Sequence, residues 1–178
     1  MYNSLKAPIT NYSQMPVPVV CTPIARDWKE TISHQWWGTC ATPNPKNEKE
    51  AAAMKKMFLL RDRLLSFGGE EVCLPLVDPD YDAVMERGQF FYGKNIRMRK
   101  GRACQCHRNA AYLWKDSNKS MQICTGYALS SDGMWRQHTW LMQPLERRWQ
   151  IIETTVRRLA YFGVILTNQE SERFLEYA

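Results

Sequence analysis

No stretch of this 178-residue chain approaches the roughly eighteen consecutive apolar residues that a membrane-spanning helix requires. The first twenty residues lack the basic start and apolar run of a secretory leader. Cysteine occurs six times, at Cys21, Cys40, Cys73, Cys104, Cys106 and Cys124, too thinly for a disulfide scaffold of this length. Reduced thiols and a cytoplasmic setting, with no membrane contact, are therefore expected. Histidine is scarcer still, with three copies, and no internal repeat is visible. What is present is enough to fold: 44% of residues are hydrophobic, which excludes a wholly disordered chain, and the length fits a single domain.

The balance of 24 basic against 18 acidic residues gives a net charge of +6. Its distribution says more than its sum. Lys94, Arg97, Arg99, Lys100, Arg102 and Arg108 fall within one short segment, 94–108, that holds no acid. A solvated basic loop accounts for it, and so does an anionic partner, either an acidic substrate or a nucleic acid. Phe90, Phe91 and Tyr92 lie just ahead of it, where they could stack on bases or simply join the core.

Pattern along the chain predicts an α+β domain with a mainly helical N-terminal half. Residues 1–45 read as a proline-bearing extended arm followed by a short helix over 27–37. Residues 46–100 read as a helix plus an aromatic and basic loop. The helix, over 48–67, has Met54, Met57, Phe58, Leu64 and Leu65 at helical spacing, with Gly68 and Gly69 to end it. A short strand over 72–77 and a helical turn over 81–87 follow. Residues 101–178 hold a helix over 106–115, then strands over 121–129, 135–143, 148–154 and 160–166, read as an antiparallel meander. Ser131-Asp132-Gly133 supplies the first hairpin turn, and a last helix begins at Asn168.

Chemistry concentrates in that last segment. Cys106 opens an alanine-rich helical pattern, where the helix dipole and the amides of the first turn stabilise a thiolate. His138 falls within a strand and Glu153 at the end of the next. A turn near 145–147 sets those two almost opposite each other, within side-chain reach. A thiol needs a base, and the base needs a third group to fix its tautomer, so the spacing alone allows a Cys106–His138–Glu153 triad. Cys104 competes as nucleophile, but the helical pattern begins only after it. His107 is a weaker base, because neighbours along a helix do not face each other.

The ordered set Cys106 with Ala110, Gly126-Tyr127, His138-Thr139-Trp140, and Trp149 with Glu153-Thr154-Thr155 resembles the core of the transglutaminase-like superfamily, a branch of the papain-like cysteine enzymes. The resemblance covers about 101–163. It departs from the pattern in having glutamate for the usual aspartate and Thr154 for a proline. It implies a papain-like core, with the nucleophile helix packed on an antiparallel sheet. The implied activity is cysteine-dependent acyl transfer, or hydrolysis of a protein, peptide or amide substrate, without cofactor or metal.

Supporting roles are expected for Asn109, Trp140, Gln137 and Tyr127. Asn109 would orient substrate or the loop before the helix, while Gln137 and Gln89 are weak oxyanion donors. The rival readings are a non-catalytic binding protein that uses the basic segment and a zinc site drawn from Cys104, Cys106, His107, Cys124 and His138; the spacing Cys-x-Cys-His is not that of a usual zinc site. Glutamine at 153 is expected to keep the fold and the histidine tautomer, weakening activity without abolishing it.

Overall fold

The computed structural model describes residues 47–75, 78 and 80–178; the arm and helix expected within 1–45 lie outside them. In chain order the elements are helix α1 (Glu48–Leu65), strand β1 (Glu71–Cys73), helix α2 (Tyr81–Arg87), strands β2 (Gln89–Tyr92) and β3 (Arg97–Met98), helix α3 (Cys106–Asp116), strands β4 (Gln122–Leu129), β5 (Met134–Leu145), β6 (Arg148–Glu153) and β7 (Ala160–Ile165), and helix α4 (Asn168–Glu176). The segment read as an aromatic and basic loop thus contains two strands. Its aromatics are drawn into the sheet because Phe91 finds a buried neighbour in Trp140, ring centroids 6.2 Å apart.

The sheet runs β2-β7-β4-β5-β6-β3, with β1 added on β5. It is mixed: β1 lies parallel to β5 and β3 parallel to β6, and the other pairings are antiparallel. The expected meander holds for β4-β5-β6, but β7 crosses back to lie between β2 and β4. Two glycines permit that crossing. Gly126 and Gly163 face each other across β4 and β7. A Cβ on Gly126 would sit 2.3 Å from the Phe162 carbonyl oxygen, and one on Gly163 would sit 2.8 Å from the Trp140 ring.

Alternation along the strands divides the core in two. One face of the sheet packs Ile123, Tyr127, Trp135, Leu141 and Phe162 against Leu60 and Leu64 of α1, Val84 of α2, Ala110, Ala111 and Trp114 of α3, and Phe174 of α4. The other face gathers Phe91, Cys124, Trp140, Met142, Ile151 and Tyr161. Each large side chain so enclosed stabilises the fold by about 1.5–3 kcal/mol. In α1 the buried positions are Met57, Leu60 and Leu64, whereas Phe58, expected in the core, is exposed. The helix stops where Gly68 and Gly69 take positive φ, and the Trp135 indole N–H donates to the Gly68 carbonyl at 2.7 Å, fastening its end to β5. α4 begins at a reciprocal cap: Thr167 accepts from the Glu170 amide, and the Glu170 carboxylate accepts from the Thr167 amide.

Three features of this architecture aim α3 at β5. β1 covers β5 at 134–136 and β6 covers it at 141–145, so 137–140 have no strand partner on that side among the described residues. The start of α3 fills this opening. Ahead of the helix, the chain extends β3 alongside β6, with Arg99 donating to the Glu153 carbonyl at 2.8 Å and Gly101 to that of Thr154 at 2.9 Å.

Candidate active site

Cys106 is the first residue of α3, and no acidic residue stands in the first turn to compete with a thiolate for the positive end of the helix. The turn into the helix is tight. Cys104 adopts a left-handed φ of 57°, costly for a side chain with a Cβ, and is exposed. Asn109 holds this turn in place. Its Oδ1 accepts from the Arg102 amide at 3.0 Å and its Nδ2 donates to the Arg102 carbonyl at 2.7 Å. Of the two roles expected for Asn109, the structure thus shows it orienting the loop. The clamp is also why residue 101 is glycine, since a Cβ there would lie 2.4 Å from the Asn109 side chain.

The Cys106 thiol meets His138 on β5, and the backbone N–H of Thr139 also donates to the sulfur. His138 Nε2 lies 2.8 Å from Glu153 Oε2, which leaves Nδ1 as the ring nitrogen available to the thiol. The three predicted residues are therefore brought together, and all are buried, at 9%, 2% and 0% exposure. The register that joins them is not the predicted one. Leu145 pairs with Arg148 and Leu141 with Ile152, a tighter turn than expected, so continuing the ladder sets Glu153 beside Trp140. Glu153 and His138 are diagonal neighbours on one face.

Glu153 is enclosed by donors. Oε1 accepts from the amides of Thr154 and Thr155, both at 2.8 Å, and from the Thr155 hydroxyl at 3.0 Å. Oε2 takes His138 and the Tyr161 hydroxyl at 3.0 Å. The Thr154 amide contributes a bond that a proline at this position lacks the hydrogen to make. Burial alone would push this carboxyl up, but His138 and these donors hold it below its usual range.

The same opposition governs the pair itself. Burial disfavours charge on either partner, yet the attraction between thiolate and imidazolium outweighs it. The Cys106 thiol is held below its ordinary value, and His138 is raised to about 9 by the sulfur and Glu153. Both shifts favour the charge-separated form of the pair, thiolate beside imidazolium. His107 differs: burial, then the nearby His138 charge, lowers it to about 3. Its Nδ1 bonds the Thr139 hydroxyl, so His107 is a neutral brace on the strand and not a base.

The remaining predicted residues sit around this core. The Trp140 ring lies nearly parallel to that of His138, centroids 6.4 Å apart, and packs on Tyr161 at 4.9 Å. Tyr127 faces the opposite side of the sheet, where its hydroxyl donates to Asp78 at 2.6 Å; burial and that carboxylate push it well above the ordinary phenol range. Gln137 is half-buried across from Tyr127 on β5, and Gln89 lies on the edge strand β2, three strands away from β5. Of the zinc set, Cys104 is exposed in the loop and Cys124 is buried on β4, where burial raises its thiol, and among the described residues no cluster of potential ligands is arranged to hold a metal.

Two contributors escaped the sequence reading: the Thr139 amide and Tyr161. Gln105 immediately precedes the thiol, and its side-chain oxygen is buried without a partner among the described residues. A buried Tyr–acid contact between neighbouring segments has no sequence signature beyond ordinary strand aromatics.

No protein-family profile matches the chain, and no curated protein or solved structure matches it. Among the described residues no helix is long and apolar enough to cross a membrane.

Proposed function

We propose that the protein is a cysteine-dependent acyl-transfer or amide-hydrolysing enzyme using Cys106, His138 and Glu153. The observation that carries this reading is the continuous chain from a thiol at a helix N-terminus, through His138, to a carboxylate held at 2.8 Å. A buried, charge-separated pair of this kind has a stability cost that an apolar packing would not incur, and activation of a nucleophile accounts for it.

In the reaction, the Cys106 thiolate attacks a carbonyl carbon of a peptide, isopeptide or side-chain amide. The proton on His138 Nδ1 passes to the leaving nitrogen as the C–N bond breaks, giving an amine and a thioester. Neutral His138 then takes a proton from water or from an acceptor amine, which attacks the thioester and releases Cys106 as thiolate. Water gives hydrolysis or deamidation; an amine gives cross-linking. Glu153 holds the ring and balances the imidazolium. The helix-first arrangement, with nucleophile, histidine and acid in that order on a predominantly antiparallel sheet, accords with the resemblance to transglutaminase-like, papain-like enzymes.

One observation favours a second reading, a binding protein on the same scaffold: a groove along α3 has four cations in its lining and does not include the thiol. An electrophilic amide or peptide probe, followed by mass spectrometry of the modified residue, separates the two. Adduct formation at Cys106 that is lost in His138→Ala supports the enzyme; absence of any adduct under conditions where the protein is folded removes it.

A further inference from the structure

A groove of about 440 Å³ runs along the outer face of α3, lined by Gln105, Arg108, Asn109, Tyr112, Leu113 and Asp116 on the helix and by 99–102 on the opposing loop. The helix positions recur every three or four residues, so they form one stripe, turned away from the buried Cys106, Ala110 and Trp114. Four of the lining residues are cations: Arg99, Lys100, Arg102 and Arg108. None of them forms an ion pair among the described residues; the one charged contact they make is Arg108 over the Tyr112 ring, at 5.5 Å. Asp116 is the single acid in the groove, at the far end of the helix.

Four exposed like charges held side by side without counter-charges repel one another, and the fold tolerates this where an anionic ligand completes the set. The groove is also coupled to the triad at both walls. One wall contains Gln105, adjacent in sequence to the nucleophile. The other donates from Arg99 and Gly101 to the carbonyls of Glu153 and Thr154. A ligand lying in it would deliver the segment beyond to the start of α3.

We infer that this groove binds an acidic polypeptide segment, next to the carbonyl that Cys106 attacks; the inference rests on the proposed acyl-transfer reading and specifies its substrate. From Gln105 to Asp116 the helix spans about 16 Å, room for four or five residues of extended chain. Carboxylates fit near the Arg99–Arg108 end. Tyr112 and Leu113 offer an apolar floor for the intervening side chains, and Asp116 rejects an acid at the distal end. A polypeptide suits this better than a nucleic acid. The charge is confined to one end and reverses over a few residues, whereas a phosphate backbone asks for cations along its whole track and for several stacking rings.

The test uses the full chain with the Cys106→Ala substitution, so that binding is read without turnover. Fluorescence anisotropy compares a peptide with two glutamates followed by two leucines, its counterpart with glutamines in place of the glutamates, and a thymidine oligonucleotide of matching charge. The glutamate peptide is expected to bind, the glutamine peptide not. The combined Arg99→Gln, Arg102→Gln, Arg108→Gln replacement, checked for folding by circular dichroism, should weaken binding roughly 10- to 100-fold, the sum of three solvent-screened charge pairs. Equal binding of both peptides, unchanged binding by the replaced protein, or tighter binding of the oligonucleotide than of the glutamate peptide overturns the proposal. Alkylation of Cys106 by iodoacetamide, measured on the unsubstituted chain without peptide, reports separately on the thiol: a reactive Cys106 with failed peptide binding overturns the groove alone, and an inert Cys106 overturns the acyl-transfer reading beneath it.

Discussion

Glu153 reaches His138 diagonally, Oε2 to Nε2 at 2.8 Å, from a strand position that the ladder sets beside Trp140. Diagonal neighbours on a sheet face are about 7–8 Å apart at Cα, a gap that long side chains can close and short ones cannot. The extra methylene of glutamate is thus matched to this register, and an aspartate at the same position would fall short of the ring. Glu153→Asp should strand the ring without its carboxylate partner and bring His138 part of the way back toward the ordinary imidazole range, since the sulfur, the larger influence raising it, stays in place. Titration of the ring by NMR checks this; a His138 that still titrates near 9 would show that the diagonal is shorter in solution.

Glu153→Gln has a sharper consequence, which reverses the expectation drawn from sequence. Oε1 faces two backbone amides, which can only donate, so the glutamine carbonyl must occupy that side. Its NH₂ then points at His138 Nε2, forces that nitrogen to accept, and places the ring proton on Nδ1, facing the sulfur. A neutral ring in this tautomer cannot take the thiol proton. Turnover should fall on the order of 10⁴-fold, the usual consequence of fixing a catalytic histidine in the wrong tautomer. Activity within a few-fold of the unsubstituted protein would mean that Glu153 does not set the tautomer.

The charge state of the pair predicts its pH profile. A thiol held below its ordinary value by His138 loses its proton earlier than a free thiol, so alkylation of Cys106 by iodoacetamide should rise at a pH below the ordinary thiol range. His138 keeps its proton until about pH 9, and its loss should produce a second step there as the sulfur loses its counter-charge. Peptide mapping of the labelled cysteines makes the measurement. A single rise at the ordinary thiol range, or labelling led by exposed Cys104, would dissolve the ion pair.

Asn109 and Gly101 form one device and should fail together. Asn109→Ala removes two hydrogen bonds to the Arg102 backbone, worth about 1–3 kcal/mol in total. Gly101→Ala drives a methyl group into the same side chain. Both should slow Cys106 alkylation by loosening the entry to α3, and urea midpoints should fall by similar amounts. In the double substitution the two losses should be far from additive, because each disables the same clamp; additive losses would separate them.

At the crossing of β4 and β7, Gly126→Ala should be among the most destabilising single changes, costing more than about 3 kcal/mol, because the methyl meets backbone on the neighbouring strand, which cannot yield as a side chain could. Denaturant unfolding tests it, and a cost below about 1 kcal/mol would show that the strands part easily there.

Local pattern made much of this legible. The helix that starts at Cys106, the four strands from 122 to 165 and the last helix fall within a residue or two of their predicted limits, because each has its own periodicity and punctuation. His138 and Glu153 were paired from turn placement; the turn was misplaced by one residue, which moved the register by two and so kept both side chains on one face. What stayed hidden depends on contacts between distant segments. β3 is too short to carry a pattern and lies parallel to a strand far along the chain; β1 falls at the start of the strand expected over 72–77, and what the sequence does not show is its parallel pairing with β5. The place of β7 beside β4 goes with the close approach at Gly126 and Gly163, which no window of sequence reveals. Tyr161 enters the site on β7 by that same route; the Thr139 amide reaches it through the contact of α3 with β5, and Thr155 is a local neighbour of Glu153, two residues on.

The opening in the outer edge of β5 bears on more than chemistry. An uncovered strand edge is a template for pairing with another chain, and proteins protect such edges with charge, bulges or a covering element. Here the covering element is the helix that carries the nucleophile. Detachment of α3 would therefore do two things at once: break the thiol away from His138 and uncover a stretch of β5 able to recruit a strand from a neighbouring molecule. Loss of reactivity and onset of self-association should share one local unfolding event, so reactive Cys106 doubles as a reporter of colloidal integrity.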